Sequence, residues 1–548
     1  MLPRSLGHRA PLLWLALPYA AGLVAGRCGV NLPVAWALGV ALAGAVVAAC
    51  AAWRSEKRWP WALSLSAALL LAGDASYQLH RRRLPEWDAL PAREARVSLR
   101  IDRVFAQGNA HRVTGLATVT QTEAHLRELV GQSVYFGLNL RTGQAAPVRS
   151  AQLAAVGVLQ AVPENPPAAT FERYLADAGV NFRLTRGRML AEERAPAAYY
   201  RFCAAAAERF EAILGAGIAE KRPALAGVLR AMLLGQTHEM SDEQNRLFMR
   251  SGTMHLFAIS GLHISVIAVA LYAGLGVLRL PRWPRFLAST AILWLYVDIT
   301  GAAPSAVRAF VMVALVETAL LVRRPVNPLA TLAAATAAVL VFAPLQFFTA
   351  SFQMSYGIVA ALLLFGLPLS EAWQERWRPF AWLPAATWRW WHRGADLAWS
   401  WLTAAVALGL GASLVSLITG VQFFRLFTPG AFFANLVLIP ASSLVILGGF
   451  GSLVAGLCGL TSLASLLNHG SAVVLWLIEA GVRQFVDGMP GVFFAAEFRA
   501  PWIGGAVHAA VLAACLAGYA GKWEAKRGGW WPPCALVALA LLFGVKWG

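Results

Sequence analysis

The alternation of apolar and polar positions divides the chain into membrane-length apolar runs and one region of shorter, alternating runs. Apolar runs begin near residue 11 and dominate again from about residue 253, while residues 80–197 alternate apolar and polar side chains between polar connections. An apolar helix of about 20 residues crosses a hydrocarbon core of roughly 30 Å. Alternation with a period of two is typical of half-buried strands. The pattern therefore predicts a polytopic α-helical membrane protein with an inserted soluble β domain.

About thirteen of the apolar runs are predicted to span the membrane. They cover approximately residues 11–29, 33–53, 59–77, 253–278, 286–300, 305–321, 328–343, 352–369, 399–418, 431–457, 471–486, 503–520 and 531–543. The first run is predicted to be an anchor rather than a cleaved signal, because further runs follow it closely. The predicted division is 1–79 for N-terminal spans, 80–197 for the β domain, 198–252 for amphipathic interfacial helices and 253–548 for the main membrane domain.

Clusters of basic residues recur on one side of the predicted membrane. They are Arg54, Lys57 and Arg58; Arg279, Arg282 and Arg285; Arg323 and Arg324; Arg376, Arg378, Arg389 and Arg393; and Lys522, Lys526 and Arg527. Because basic loops stay in the cytoplasm, they predict a multi-pass inner-membrane protein with a cytoplasmic N-terminus and residues 80–250 outside. The arginines at positions 81–83 oppose this topology, but long soluble domains cross membranes largely regardless of charge.

The β domain is predicted to form a small barrel. Strands are expected over residues 97–105, 111–120, 133–140 and 151–162, then a short helix at 171–179 and a last strand at 180–186. This order is expected of a partly open, five-stranded OB-like barrel. Such barrels bind single-stranded nucleic acid through aromatic platforms and basic grooves. They also serve as plain structural modules, and both alternatives stay open. The candidate nucleic-acid-binding residues are Arg100, Arg103, Arg112, Tyr135 and Arg183.

One predicted span, from about residue 253 to 278, carries polar residues that a hydrocarbon solvent disfavours. These are His255, Ser260, Gly261 and His263. Ionisable residues at such depth usually face protein or water and mark functional sites. The alternative is that the Ser-Gly pair lets helices pack closely and each histidine bonds a neighbouring carbonyl. A common role for the two histidines requires the helix to break at Ser260-Gly261, because eight residues place them on different faces of a straight helix.

Arg308 is a permanently charged guanidinium inside a predicted span, which is costly unless the group is paired or faces water. Glu317 lies nine residues further along the same helix, too far for pairing within that helix. A water-lined path is therefore favoured over an ion pair with Asp298. The residues expected to line the path are the four of the central span together with Thr300, Ser305, Arg308, Gln353 and Arg425.

Composition supports a membrane protein and offers little catalytic chemistry. Hydrophobic residues make up 58% of the 548 residues and charged residues 14%, a load typical of polytopic membrane proteins. The formal net charge of +18 fits either the positive-inside rule with anionic lipid or passage of a polyanion. The six cysteines have no metal-ligand or CxxC spacing, and no P-loop is present. We predict no catalytic residues, no metal and no cofactor.

Several stretches resemble the ComEC family, the membrane channel proteins of natural competence. They are LLGQ (233–236), RLFMRSG (246–252), HLFAISGLH (255–263), ITGAAPSAVRA (299–309), NPL (327–329), FQMSY (352–356) and FTPG with NLVLIP (427–440). ENPPAATFERYLADAGVNF (164–182) is similar to the turn and helix of the family's outer OB-like domain, with a second proline in place of a glycine. The resemblance implies an inner-membrane channel for single-stranded DNA in transformation.

The resemblance also implies partners. They are single-stranded DNA, membrane lipid and a separate DNA receptor, nuclease and cytoplasmic ATPase. A separate nuclease is expected because none of the ten histidines stands in the HxHxDH metal motif that many family members carry. The oligomeric state is left open.

Two other functions are compatible with the residues. A secondary transporter or flippase for an anionic lipid-linked or sugar substrate would be favoured by inverted internal repeats. A membrane-embedded glycan-processing enzyme would require Ser260 to act with His255 and His263, which lack a carboxylate to orient them.

Overall fold

The chain forms two compact units, each built from two separate stretches of sequence. The first comprises Met1–Arg209 and Leu280–Phe352, and the second comprises Phe210–Arg279 and Gln353–Gly548. This computed structural model describes residues 10–29, 32–54, 58–105, 111–141, 143–167, 169–524 and 528–548. Three of the predicted cytoplasmic charges, Lys57, Lys526 and Arg527, lie outside the described residues.

Helices dominate both units and are numbered here in chain order. They are α1 Leu13–Arg27, α2 Val34–Arg54, α3 Arg58–Arg81, α4 Phe171–Asp177, α5 Ala198–Gly215, α6 Pro223–Leu234, α7 Asp242–Arg250, α8 Gly261–Val277, α9 Arg282–Ile299, α10 Pro304–Leu321, α11 Pro328–Phe342, α12 Ala350–Ala361, α13 Leu367–Arg376, α14 Trp390–Phe424, α15 Ala431–Leu457, α16 Thr461–Gly488, α17 Pro501–Ala520 and α18 Trp531–Phe543. Short 3₁₀ turns at Pro85–Ala89, Ala124–Leu129, Thr237–Glu239, Met254–Leu256, Pro344–Phe348 and Ala385–Thr387 and a π turn at Leu362–Gly366 connect them.

A closed five-stranded barrel occupies the first unit. Its strands are β1 Arg93–Val104, β2 Arg112–Thr122, β3 Ser133–Asn139, β4 Gln152–Ala161 and β5 Phe182–Arg194. Their order around the barrel is β1-β2-β3-β5-β4, with β4 returning to β1. Only the β3–β5 pair among these is parallel. The predicted strands and the helix before the last strand are confirmed, although the barrel closes where a partly open one was expected.

The barrel interior follows from strand alternation, because every second side chain of a strand points to the same face. Leu99 and Ile101 of β1, Phe136 of β3, Leu153 of β4 and Leu184 of β5 are each 0–1% exposed and share one apolar cluster. Some strands, such as β1 and β5, are longer than the alternating pattern predicted. The domain boundaries at residues 80 and 197 stay a prediction.

The N-terminal helices pack through glycine. Helix α3 lies against both α1 and α2. A Cβ at Gly22 would stand 2.0 Å from the Leu70 carbonyl oxygen, and one at Gly73 would stand 2.2 Å from the Tyr19 carbonyl oxygen. Any larger residue would force α1 and α3 apart, so these two glycines set the close approach of the helices.

Eight helices among the described residues are long and apolar enough to cross a membrane. They are Val34–Trp53, Met254–Val277, Pro304–Leu321, Ala350–Arg376, Trp390–Phe424, Ala431–Leu457, Thr461–Gly488 and Pro501–Ala520. Three further apolar helices, α6, α11 and α18, are shorter. The chain is therefore a helical membrane protein with a barrel domain, while the count of about thirteen spans stays a prediction.

The second unit holds the longest helices. Helix α14 has 35 residues, which extends the predicted run at 399–418 in both directions. Helices α15 and α16 pack side by side, and α6 packs against both. Nine of the residues of α6 are buried. The prediction that residues 198–252 lie at the membrane–water interface is not tested by this burial and stays a prediction. A small sheet of β6 Leu426–Phe427, β7 Phe494–Phe498 and β8 Val545–Trp547 closes this unit.

Candidate functional site

The central span is broken where the sequence required a break. A 3₁₀ turn at Met254–Leu256 is followed by non-helical residues, and α8 begins only at Gly261 with Ser260 as its N-cap. The Ser260 backbone N–H donates to His263 Nδ1 at 3.2 Å, and Ser260 Oγ lies 2.8 Å from the same nitrogen. The motif is a capping box in which the histidine side chain takes the place usually held by Glu or Gln.

His255 and His263 have different surroundings. His263 is 0% exposed. Because its Nδ1 accepts the Ser260 N–H, the proton of the neutral ring belongs on Nε2. That Nε2 is buried and has no hydrogen-bond partner among the described residues. His255 lies in the 3₁₀ turn and is exposed. His263 therefore orders the start of α8, while His255 lies in the preceding turn, outside this capping motif.

The turn before the central span lies against the start of α15. Gly252 has a φ of +71°, in the left-handed region that favours glycine, and a Cβ there would stand 2.7 Å from Ala431 Cβ and 2.8 Å from Thr428 Oγ1. The rings of Phe248 and Phe257 stack on each other with centroids 3.7 Å apart. This packing fixes the segment that carries His255.

Arg308 lies on α10 and is 1% exposed. Its Nη2 donates to the Ser351 carbonyl oxygen at 2.7 Å and to Ser351 Oγ at 2.6 Å, and its Nη1 donates to Gln346 Oε1 at 3.3 Å. Glu317 accepts from Ser289 Oγ at 2.7 Å across the α9–α10 contact. Arg308 thus ties α10 to the 3₁₀ turn after α11 and to the start of α12. A role on a water-lined path stays a prediction.

Asp298, at the end of α9, is contacted by one residue from the β3–β4 connection and one from α5. Arg149 Nη1 lies 3.1 Å from Asp298 Oδ1, and Tyr199 Oη donates to Oδ2 at 2.8 Å. Burial, followed by the hydrogen bond to Asp298, raises the pKa of the Tyr199 hydroxyl, and burial likewise raises the pKa of the Cys203 thiol. The cluster joins the barrel connections to α9 within the first unit.

The remaining path candidates are spread over the two units. Thr300 caps α9 and donates to the Val297 carbonyl oxygen at 3.0 Å. Ser305 is in the first turn of α10. Gln353 is half-buried in α12. Arg425 ends α14 with a φ of +55° and lies 3.1 Å from Glu497 Oε1 of β7. Their joint role on one path stays a prediction.

A row of four aromatic rings lies on the barrel. Phe105 stacks on Tyr135 with centroids 6.2 Å apart, Tyr135 meets Phe171 edge-on at 4.9 Å, and Phe171 stacks on Tyr174 at 5.8 Å. Phe171 is 50% exposed and Tyr174 is 39% exposed. Only Tyr135 was selected from the sequence. For Phe171 and Tyr174 the signal lies in FERY, since positions three apart on a helix share one face. For Phe105 it is the aromatic residue at the end of the strand predicted over residues 97–105.

Two of the candidate arginines, Arg103 and Arg183, lie beside this aromatic row or the helix that carries it. The Arg103 guanidinium lies 5.4 Å from the Phe105 ring centroid, and burial lowers its pKa from the ordinary value. Arg183 Nη1 lies 2.8 Å from Glu172 Oε1 on α4, the helix that bears the outer rings. Arg100 lies 3.5 Å from Asp102, and Arg112 is exposed on β2. The arrangement offers stacking surface with adjacent positive charge.

The described residues hold no group of three or more histidine, cysteine and acidic side chains placed to bind a metal ion.

Comparison with known proteins agrees with the motifs. The profile described as Competence protein matches residues 232–522, which is more than half of the chain. ComE operon protein 3 of Bacillus subtilis (strain 168) is 31% identical over 142 residues, or 26% of this chain and 18% of that protein. The match thus covers less than a fifth of the relative's length. No solved structure matches the chain. From the profile match and the motif geometry, the chain belongs to the ComEC family of competence proteins.

Proposed function

We propose that this membrane protein translocates single-stranded DNA into the cell during natural transformation, and that the aromatic row on the barrel holds the incoming strand. Membership of the competence family supports a role in DNA uptake. The name of the relative, ComE operon protein 3, is compatible with it. The observation that carries the proposal is the run of Phe105, Tyr135, Phe171 and Tyr174 beside Arg103.

Stacking suits a transporter that must accept any sequence. Every base has a flat π face, so a row of rings binds successive bases with little dependence on their identity. Phe171 and Tyr174 expose enough of their rings to receive a base, while Tyr135 packs against the small apolar cluster of Val162, Leu175 and Val180 and anchors the row. Helix α4 therefore presents two exposed rings for stacking, and Tyr135 of the barrel holds them in place.

The charge beside the rings suits the phosphate backbone. An incompletely solvated guanidinium such as Arg103 gains more from a phosphate than one in bulk water, because the effective dielectric constant is lower. Arg112 on β2 adds an exposed cation. Each phosphate neutralised releases counterions, so affinity should fall with salt, with a slope of about −0.7 per contact for single strands.

The test is binding of a fluorescent oligothymidine to the full chain purified in detergent. Phe171→Ala should weaken binding by about 5- to 150-fold, because one base–aromatic stack contributes roughly 1–3 kcal/mol. Arg103→Gln should lower the salt slope by about 0.7. The matched control is Leu190→Ala, which removes an apolar side chain that is 47% exposed on β5 of the same barrel.

Uptake is measured in a transformable host that lacks its own copy of the protein. Internalised labelled DNA should fall in Phe171→Ala and stay near wild type in Leu190→Ala at equal membrane abundance. Wild-type binding and uptake by both Phe171→Ala and Tyr174→Ala would contradict the proposed role of the row.

A further inference from the structure

A cavity of about 700 Å³ lies in the first unit, and none of the four rings of the aromatic row lines it. Its wall is formed by the ends of α1 and α3, the residues that follow α3, the end of α4 and the 3₁₀ turn at Pro344–Phe348. A volume of this size matches sites for small ligands, which are commonly about 300–1,000 Å³. Nothing in the proposed translocation function uses this cavity.

Positive charge prevails in the cavity wall. Five arginines line it, against three carboxylates at Glu128, Glu164 and Asp177. Glu128 and Glu164 are exposed to solvent. Asp177 is already shared by Arg27 Nη2 at 2.8 Å and Arg173 Nε at 3.2 Å. Burial raises the pKa of the Asp177 carboxyl, and Arg27 opposes this shift. Two arginines share this one carboxylate, so positive charge still exceeds negative charge in the wall.

Arg81 and Arg83 are the least exposed of these five arginines, and Arg83 forms an ion pair with Asp88, a carboxylate that does not line the cavity. Arg81 is 8% exposed, and the side chain of Arg83 is 5% exposed. Arg81 Nη1 donates to Asn181 Oδ1, and Arg83 Nη2 donates to Asp88 Oδ1. Arg81 Nη2, Arg83 Nε and Arg83 Nη1 are buried without a hydrogen-bond partner among the described residues. Buried guanidinium nitrogens left in this way are costly, and an anion in the cavity would reduce that cost.

The backbone between these arginines is held in an unusual conformation. Arg82 has a φ of +38°, in the left-handed region that is unfavourable for a non-glycine residue. This conformation ends α3 and lets both Arg81 and Arg83 line the same cavity. Strain of this kind persists where the surrounding structure imposes it, often at ligand sites.

The surroundings of the cavity favour a membrane lipid over a DNA strand as the source of the anion. Tyr77 and Trp87, aromatic residues of the type found at membrane–water interfaces, line it, and the Tyr77 ring meets the Phe348 ring edge-on at 5.7 Å. Arg27 lies over Phe348 at 4.4 Å. The helices that lead away from it expose apolar side chains such as Trp14 and Leu63 at 61% and 62%. An acyl chain could lie along them.

We infer that this cavity binds the phosphate-bearing head group of an anionic phospholipid, with Arg81 and Arg83 supplying the positive charge. Basic pockets at the ends of membrane helices are suited to such head groups. A DNA strand would need a continuous groove for several phosphates, whereas this site is a single concavity between helix ends. The bound lipid would tie α1 and α3 to the barrel, which follows α3 in the chain.

The first test uses the unaltered full chain in neutral detergent, titrated with short-chain phosphatidylglycerol or short-chain phosphatidylcholine. The melting temperature should rise by several degrees with the anionic lipid and by less than one degree with the zwitterionic lipid, since a ligand stabilises the state that it binds. Equal shifts with the two lipids would overturn the inference.

The second test compares the phospholipids that co-purify with the full chain, identified by mass spectrometry. Arg81→Gln/Arg83→Gln should retain at least fivefold less anionic lipid than wild type, and Arg81→Lys/Arg83→Lys should retain an intermediate amount because a point charge remains. Arg188→Gln, at an exposed position of β5, should match wild type. Equal retention in all four proteins would overturn the inference even if the melting temperatures differed.

A third arm identifies the source of the phosphate. Adding a short oligothymidine should leave the anionic lipid bound to the wild type. Displacement of the lipid by the oligonucleotide, with loss of oligonucleotide binding in Arg81→Gln/Arg83→Gln, would assign the cavity to DNA and overturn the lipid assignment. If Arg81→Gln/Arg83→Gln does not accumulate, the titration of the unaltered chain decides the question.

Discussion

Replacing Arg308 by alanine should destabilise the protein rather than merely weaken transport. The guanidinium is 1% exposed and makes three hydrogen bonds, two to Ser351 at 2.7 and 2.6 Å and one to Gln346 at 3.3 Å. Removing it leaves the Ser351 carbonyl and the Gln346 amide without this donor and opens a cavity beside α10. Hydrogen bonds to charged groups contribute about 1.5–3 kcal/mol each.

The three bonds share one guanidinium, so their contributions do not add. The whole loss should be about 2–5 kcal/mol, because each acceptor left without a donor costs about 1–3 kcal/mol and the removed side chain leaves a cavity. That is a large part of the roughly 5–15 kcal/mol that keeps a typical domain folded. Arg308→Lys keeps the charge but has a single nitrogen that cannot reach both partners with the same geometry, so its loss should be about 1–3 kcal/mol.

The assay is membrane abundance and melting temperature of a tagged full chain, with DNA internalisation measured on the same cells. Arg324→Ala, an exposed arginine after the end of the same helix, is the matched control and should behave like wild type. Neutralising Asp298 should not restore Arg308→Ala, because that carboxylate is held by Arg149 at 3.1 Å and Tyr199 at 2.8 Å.

Two results would refute this reasoning. Wild-type abundance and melting temperature in Arg308→Ala, combined with lost internalisation, would place the guanidinium on the transport path instead. Restored abundance on adding Asp298→Asn would show that the two residues pair in the membrane.

Three further predictions concern packing, mechanism and topology. Gly357→Ala should destabilise the protein by about 1–3 kcal/mol and lower its melting temperature, because the added Cβ would stand 2.7 Å from a histidine nitrogen of α17. Gly505→Ala, where nothing lies within 4 Å of the added Cβ, should leave the melting temperature unchanged. Equal melting temperatures of the two variants would contradict this packing. Gly261→Leu, at the first residue of α8, should abolish DNA uptake and leave the protein inserted; normal uptake at matched abundance would remove the central span from the mechanism. A reporter fused after Leu90 should be found outside the membrane and one after Pro325 in the cytoplasm, and a cytoplasmic Leu90 fusion would invert the topology.

Local patterns were sufficient for elements whose stabilising contacts are near in sequence. A serine followed three residues later by a glutamine is the sequence pattern of a capping box. Ser241 and Gln244 form one at the start of α7, with Gln244 N donating to Ser241 Oγ at 3.1 Å and Ser241 N donating to Gln244 Oε1 at 3.1 Å. The break at Ser260 follows from a serine and a histidine three residues apart. The alternating runs of the β domain became barrel strands because their apolar faces had one interior to fill.

The sequence by itself determined that the chain has membrane helices, a barrel domain and a place in the competence family, since each depends on periodicity or contiguous motifs. It located the possible break at Ser260, and the structure showed that the helix breaks there. Tertiary structure decided the partners of the buried charges. Arg308 meets Ser351 at a separation of 43 residues, and Asp298 meets Arg149 at a separation of 149 residues. It also joined Phe171 and Tyr174 to Phe105 and Tyr135, and gathered Arg27, Arg81, Arg83 and Arg173 around one cavity. The physical reason is that the spacing of apolar residues indicates which face of a helix or strand is apolar. The partner of a side chain depends instead on how elements distant in the sequence pack together.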